Sequence, residues 1–573
     1  MTRREKPKPG GSASKLVPGS RPENVAAPVA QRPPALQDFD IAIAGSGFAG
    51  SLLALICRRL GRSVVLLEKG KHPRFAIGES SSPLANLILE ELADRYDLPR
   101  IRPLAAWGSW QREYPEIGCG LKRGFTFYGH AAGRPFTADP ERRNELLVAA
   151  SPRDEIADTH WLRADFDHFL AREAQAEGAE YLDETRVDGV EFRPDGIALR
   201  GERQGRRVAL RARLLVDASG PRGLLQALLA LPEAGFPTLP RTEGLYSHFE
   251  GVRRFDELGV LARGEPPPYP VDCAALHHVF DGGWIWVLRF GSGLDSAGVA
   301  AAPELAGALR LREGGPAWAR LLRRFPTIEE QFAQARPARP FVYAETLPFR
   351  TAAASGESWT LLPSAAAFVD PILSTGFPLT LLGIERVSRA IEGSWGRRDF
   401  GSALQAHARA TLSEADTAAR LVSALYSAFS DFELFAELTL LYFASASFAE
   451  AARRLGRGAR AGCFLSGDHP VFGPALAECC RLAVDSATGR SKEQRSLLMS
   501  RISEAIEPLD VAGLGDRERR RWHPMEAEPL LRSASKLGVS RSEIEAMLAS
   551  SGFYPPSAPA GAPEDDRAAT LVP

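Results

Sequence analysis

The run from Asp38 to Ala44 is nearly continuous in apolar residues and predicts a strand buried on both faces. Gly45 to Gly50 reads as a turn, Ser51 to Leu60 has helical spacing, and Ser63 to Leu67 predicts a second strand ending at Glu68. The three make a βαβ unit. Further on, Arg163 to Glu177 puts Phe166, Phe169 and Leu170 on one helical face. Leu214 to Ala218 predicts another buried strand, closing in Asp217-Ala218-Ser219-Gly220. Short alternating segments such as Gly283 to Phe290 fill residues 240–350 and predict an antiparallel sheet. From 396 to 554 the pattern is mostly helical. The expected class is α/β: a Rossmann-type domain over 38–395 with an inserted antiparallel β layer, then a mostly helical C-terminal domain. Residues 1–37 and 555–573 have no hydrophobic period and are expected to be disordered tails.

Composition narrows the function classes. A hydrophobic fraction of 45% and a charged fraction of 25% are those of a globular protein. A net charge of -1 makes no electrostatic case for nucleic acid. Six cysteines lie scattered without a CxxC or Cys/His cluster, so neither a metal site nor a disulfide framework is expected. Cys479-Cys480 read as two reduced thiols on one helix. The longest apolar stretch, Leu438 to Ala449, is bounded by Glu437 and Glu450 and falls short of the ~20 residues of a membrane span. A soluble cytoplasmic protein is expected.

The turn carries the first chemistry. In Gly45-Ser46-Gly47-Phe48-Ala49-Gly50, Gly45 permits the tight bend, Gly47 lets the backbone approach a pyrophosphate, and Gly50 lets helix and strand pack closely. Glu68 stands where a carboxylate meets ribose hydroxyls, with Lys69 and Arg74 following as further cofactor candidates. Asp217 and Gly220 supply a second cofactor turn, and no second complete GxGxxG is present to hold a nicotinamide. FAD is therefore the expected dinucleotide.

Three more segments specify the family. Gly78-Glu79-Ser80-Ser81-Ser82-Pro83 follows Arg74-Phe75-Ala76-Ile77, a W-x-W pair stands at Trp284 and Trp286, and Phe368 to Gly376 fits F-x-x-P-x-x-S-x-G. With the fingerprint, these resemble the flavin-dependent halogenases over residues 38–395. The resemblance implies FAD reduced by a separate flavin reductase, O2 and a halide ion as reactants, and a small aromatic substrate, free or carrier-tethered. It places Lys122, in Leu121-Lys122-Arg123-Gly124-Phe125, and Ser374 in catalytic positions. The halide falls to the amides of Thr375 and Gly376, the substrate wall to Trp284 and Trp286, and Ser364 and Asp370 join the cofactor set.

Three positions depart from the family pattern. Leu373 replaces the glutamate of tryptophan halogenases, which turns the expectation from free tryptophan towards phenols. Val287-Leu288-Arg289 replaces Ile-Pro after the W-x-W pair, and Pro363-Ser364 replaces Gly-Asp or Gly-Asn. Two other readings stand beside the halogenase: a flavin monooxygenase or geranylgeranyl-reductase-like oxidoreductase, and a degenerate flavoprotein serving as a binding module.

Overall fold

The computed structural model describes residues 37–555 other than 262–264 and 488. The expected tails, 1–37 and 555–573, lie outside the described residues except for Gln37 and Pro555, and Gln37 already belongs to a strand. Strand β1 (Gln37–Ala44) feeds helix α1 (Phe48–Arg59) and strand β2 (Val64–Leu67). The helix begins three residues before the expected start, because Gly47 is its N-cap and the last three fingerprint residues are already helical. Helix α2 (Pro83–Arg95) follows, capped by the Ser82 side chain, which accepts the Ala85 N–H. Then come β3 (Cys119–Lys122), β4 (Gly124–Gly129), β5 (Glu145–Ala149), β6 (Asp158–Trp161) and helix α3 (Arg163–Ala176).

A hairpin region follows: β7 (Glu180–Leu182), β8 (Thr185–Arg193), β9 (Gly196–Arg203) and β10 (Arg206–Asp217). The expected strand at Leu214 is the end of this longer β10. Its first half pairs antiparallel with β9, and its second half lies parallel to β1. The Rossmann sheet runs β7-β2-β1-β10-β9-β8, with β15 (Trp359–Leu361) also parallel to β10. Ile41 to Ala44 are buried because they sit between two parallel neighbours, with helices on the sheet.

The second sheet has nine strands. Residues 240–350 supply β11 (Glu243–Glu250), β12 (Ala275–Phe280), β13 (Gly283–Arg289), β14 (Leu294–Ala301) and two short pieces, Arg336–Pro337 and Val342–Ala344. Within that segment every strand pair is antiparallel, as expected, but the sheet extends beyond it. β4, β5 and β16 (Trp522–His523) complete the sheet, and the β12–β4 and β5–β16 pairs are parallel. No local period could announce partners that distant. Alternation then sorts the side chains: Ala275, Val279, Trp284, Trp286 and Leu288 face the main core, while Leu276, Ile285 and Val287 face a second one.

Helices α4 (Gly376–Ser394), α5 (Phe400–Tyr426), α6 (Phe432–Arg454), α7 (Phe472–Asp485) and α8 (Lys492–Ile506) form the C-terminal layer. Their apolar faces join the core of the Rossmann unit. Phe435 and Phe443 of α6 meet Phe127 and Phe125 of β4 edge-on, with ring centroids 5.6 and 5.1 Å apart. The apolar stretch Leu438 to Ala449 lies within α6. Among the described residues α6 is the one helix long and apolar enough to cross a membrane, and 72% of its most apolar window is buried inside the protein.

Candidate active site

The fingerprint turn is sterically determined. Gly45 has φ of 98°, and a side chain there would meet the Ala218 carbonyl oxygen at 2.6 Å. A Cβ on Gly50 would fall 1.9 Å from the Gly45 carbonyl oxygen, so the helix could not enter the turn. At Gly47 a Cβ would meet nothing nearer than 3.5 Å, and this residue borders a cavity. Gly50→Ala is expected to yield protein purified without flavin absorbance, since the contact is with backbone that cannot yield.

Glu68 sits at the end of β2. Its Oε2 accepts from the Ser46 N–H and hydroxyl at 3.2 and 3.0 Å and from Arg74 Nη2 at 3.1 Å, while Oε1 accepts the Gly70 N–H at 2.8 Å. Burial raises its pKa, but the hydrogen bonds and Arg74 outweigh that and hold the carboxyl below its ordinary value. Lys69 is exposed and stands outside the cavity wall. Asp217 is spent on its own turn: Oδ1 accepts from Ser219 and Oδ2 from the Leu225 N–H. Ser219 and Gly220, not Asp217, reach the cavity.

That cavity has a volume of about 350 Å³ and runs from the fingerprint to the W-x-W strand. Gly47, Phe48, Ala49, Arg74, Gly220, Ser364, Asp370, Ser374, Thr375, Gly376, Trp284 and Trp286 all contribute to its wall. A larger cleft, about 920 Å³, lies between α6, α8 and the 514–523 loop, but it is lined mainly by charged residues and touches no motif residue. The smaller cavity is the one that joins the chemistry.

Ser364 lies in a single helical turn, Pro363–Ala366. Proline replaces the family's glycine there because its ring packs into the space left by Gly383 of α4, where a Cβ would come within 2.3 Å. Arg289 is occupied by Asp272, Asp295 and the Val252 and Arg253 carbonyls, so it braces the sheet.

The F-x-x-P-x-x-S-x-G segment contains two consecutive left-handed residues, Leu373 and Ser374, with φ of 65° and 54°. Backbone conformations this rare cost about 1–3 kcal/mol each and persist where surroundings impose them. Here the kink sends Leu373 into the core, fully buried and outside the cavity wall, which corrects its expected place at the substrate. Ser374 is turned into the wall instead. The Thr375 and Gly376 N–H groups open α4 and have no hydrogen-bond partner among the described residues. Above Gly376 the space is empty. Asp370 is clamped: Oδ1 accepts from Trp284 Nε1 at 3.2 Å and the Ile372 N–H at 3.0 Å, and Oδ2 from the Tyr426 hydroxyl at 2.9 Å. Burial nonetheless pushes it up to about 6.

Lys122 lies outside the cavity wall, one layer behind Ser80. It is fully buried, donates to Ser80 Oγ at 2.9 Å and to the Ser81 carbonyl, and holds Nζ 3.7 Å from the centre of the Phe125 ring. Asp158 is its cross-strand partner in the β3–β6 pair. Burial pushes Lys122 down to about 7 against the opposing pull of Asp158, and pushes Asp158 up to about 8.

Several wall residues escaped the sequence reading. Arg163 pairs bidentately with Asp167, Nε–Oδ1 2.7 Å and Nη2–Oδ2 2.8 Å, and its Nη1 donates to the Ile77 and Gly78 carbonyls. Asp167 in turn accepts the Phe48 N–H at the head of α1. Their i,i+4 spacing at the start of α3 was the available signal. Glu79, whose Oε1 lies 2.8 Å from His248 Nε2, and His277 also border the cavity, and only the paired sheet brings His277 there.

The FAD-type cofactor fits these residues: an open Gly47 at a helix N-terminus, two arginines, and a second turn at Ser219-Gly220. Fold and site define an FAD-dependent oxidoreductase, and residues 40–366 match the family described as FAD dependent oxidoreductase. Tetracycline 7-halogenase of Kitasatospora aureofaciens is 28% identical over 550 residues, 90% of this chain and 95% of that protein. Monodechloroaminopyrrolnitrin halogenase PrnC of Pseudomonas fluorescens is 30% identical over 403 residues, 69% of each. The crystal structure of halogenase PltM, at 25% identity, has a TM-score of 0.74 and covers 84% of this chain and 99% of its own. The chain belongs to the flavin-dependent halogenase branch of the FAD-dependent oxidoreductases. It is an FAD enzyme, and the monooxygenase and binding-module readings are the less favoured ones.

Proposed function

We propose that this enzyme halogenates a phenol or a similarly electron-rich aromatic, with the halide held by the Thr375 and Gly376 amides and the halogen delivered through Lys122. The observation that carries the proposal is the pair of N–H donors, without partners among the described residues, opening α4 in the same cavity as the FAD fingerprint. Free N–H donors at a helix N-terminus suit a small anion. Bound FAD, reduced by a separate flavin reductase, supplies with O2 the oxidation that converts halide to hypohalous acid. Lys122, one layer behind the wall, acts on that acid through the Ser80 hydroxyl to which it donates. Trp284 is held by Asp370 and, with Trp286, screens the aromatic substrate from the cofactor side of the cavity. Leu373 offers no carboxylate, so the substrate must bring its own activation, as a hydroxyl-bearing ring does. The substrate is small and reaches the site free or on a carrier, and six unpaired thiols suit a cytoplasmic enzyme.

The test combines purified protein, FAD, a flavin reductase, NADH, bromide or chloride and a panel of phenols. Halogenated product identified by mass spectrometry is the expected result. Hydroxylated product, or peroxide alone, would overturn the proposal. A Cβ at Gly376 meets nothing within 4 Å, so Gly376→Val puts its side chain into the empty space over the helix start. It is expected to raise the halide KM about tenfold, the scale of one lost hydrogen bond, while FAD binding stays unchanged. Rates measured across a halide titration check this.

A further inference from the structure

The geometry points to His277 as the residue that accepts the substrate's hydroxyl hydrogen bond, making the cavity selective for phenols; this rests on the halogenase reading above. With Leu373 buried, the acceptor must come from elsewhere in the wall, and most other polar groups there are occupied. Trp284 Nε1 donates to Asp370 and Trp286 Nε1 to Ser296 Oγ. Ser80 Oγ accepts from Lys122, and Glu79 Oε1 meets His248. Glu79 Oε2 lacks a partner but is closed off from solvent.

His277 differs from all of these. Its Nδ1 lies 3.1 Å from the Thr126 carbonyl, an acceptor only, which places the ring proton on Nδ1. Nε2 then carries a lone pair that no donor reaches among the described residues, although the ring is 2% exposed and borders the cavity. The ring cannot swing away. It stacks on Phe127 with centroids 4.3 Å apart and packs against Trp284 at 5.3 Å. Burial, with Lys122 nearby, also pushes the imidazole down to about 3, so it remains a neutral acceptor across the working range. A fixed acceptor at the Trp284 end suits an aromatic O–H.

The same nitrogen has work in the reaction. As the ring carbon attacks hypohalous acid, the carbon–halogen bond forms and the oxygen–halogen bond breaks, releasing hydroxide. The phenolic proton, now strongly acidic, passes to His277 Nε2. The hydroxide takes up the ring proton and leaves as water, and the proton on His277 returns to the oxygen. Phenol and hypohalous acid thereby give halophenol and water, with His277 regenerated.

The experiment measures binding as well as turnover. Calorimetric titration of the FAD-loaded protein with phenol and with its methyl ether, anisole, compares wild type, His277→Phe and His277→Gln. The phenylalanine keeps the stacking and removes the acceptor, whereas glutamine supplies one again. His277→Phe is expected to bind phenol about tenfold more weakly and anisole unchanged, with kcat/KM for phenol falling at least as far and His277→Gln recovering part of both. Equal losses for phenol and anisole, or none for either, would overturn the assignment. A wild type that hydroxylates rather than halogenates, while phenol binding still depends on His277, would sink the halogenase reading and leave this subsite standing.

Discussion

Lys122→Met is expected to lower halogenation by about 10²–10⁴-fold, the range over which a positioned proton donor contributes, with FAD binding intact. The expectation rests on where the lysine sits. It is fully buried, lies outside the wall that meets the cofactor, and hydrogen-bonds Ser80, which is in that wall. Stability should hold or rise, because methionine fills a similar volume and removes a group that burial penalises. Asp158 is already pushed up by burial and rises further once the Lys122 charge that lowers it is gone, so it takes up a proton and leaves no lone charge behind. The pH profile follows from the same burial. Lys122 is pushed from an ordinary 10.5 down to about 7, and the ammonium is the form that sits over the Phe125 ring. The working form is therefore lost as pH rises through about 7, and halogenation should fall there. A profile rising through the same pH would assign the work to the free amine. Product formation across pH, with a melting curve and a flavin titration on the variant, checks all three statements.

Arg163→Met should be the most destabilising single change at the cofactor site, by about 3–5 kcal/mol, because it strands the Asp167 carboxylate inside the protein. That side chain is fully buried and its partner is only 10% exposed. The substitution also removes the donor that holds the Ile77 and Gly78 carbonyls in the loop before Glu79. Adding Asp167→Leu should recover most of the stability, since no unpaired charge then remains. FAD binding should stay weak in the double variant, because Arg163 lies beside Gly47 in the cavity wall. Chemical denaturation separates the first effect and a flavin titration the second. Normal FAD affinity in the double variant would reduce Arg163 to a structural brace.

The parts of the site that could be read in advance are those made by neighbouring residues. The Gly45–Gly50 turn follows from steric limits within six positions and one strand end, and Glu68 follows from the length of α1 and β2. The Thr375-Gly376 turn was legible for the same reason, as one segment leading into an apolar helix. Its strain was not, because no residue type in Leu373-Ser374 announces two consecutive left-handed positions. Leu373 shows the cost of reading position without orientation. Its place in the motif pointed to the substrate, yet the kink turns it into the core.

Lys122, Arg163 and His277 mark the limit. A lysine between Leu121 and Arg123 has no local sign of being sealed from water. It is buried because β3 pairs with β6 and Phe125 is enclosed by Phe443 of α6, more than 300 residues along the chain. His277 reaches the cavity because β12 pairs in parallel with β4, and its tautomer follows from the Thr126 carbonyl on that strand. The sequence by itself determined the FAD turn, the buried strands around it and the order of the elements, since these follow from backbone sterics and short-range periodicity. Only the tertiary structure decided which polar groups meet the cavity, which proton each carries and what each is free to bind. Those properties depend on dielectric and contact between residues far apart in the chain, and no local pattern of residues records either.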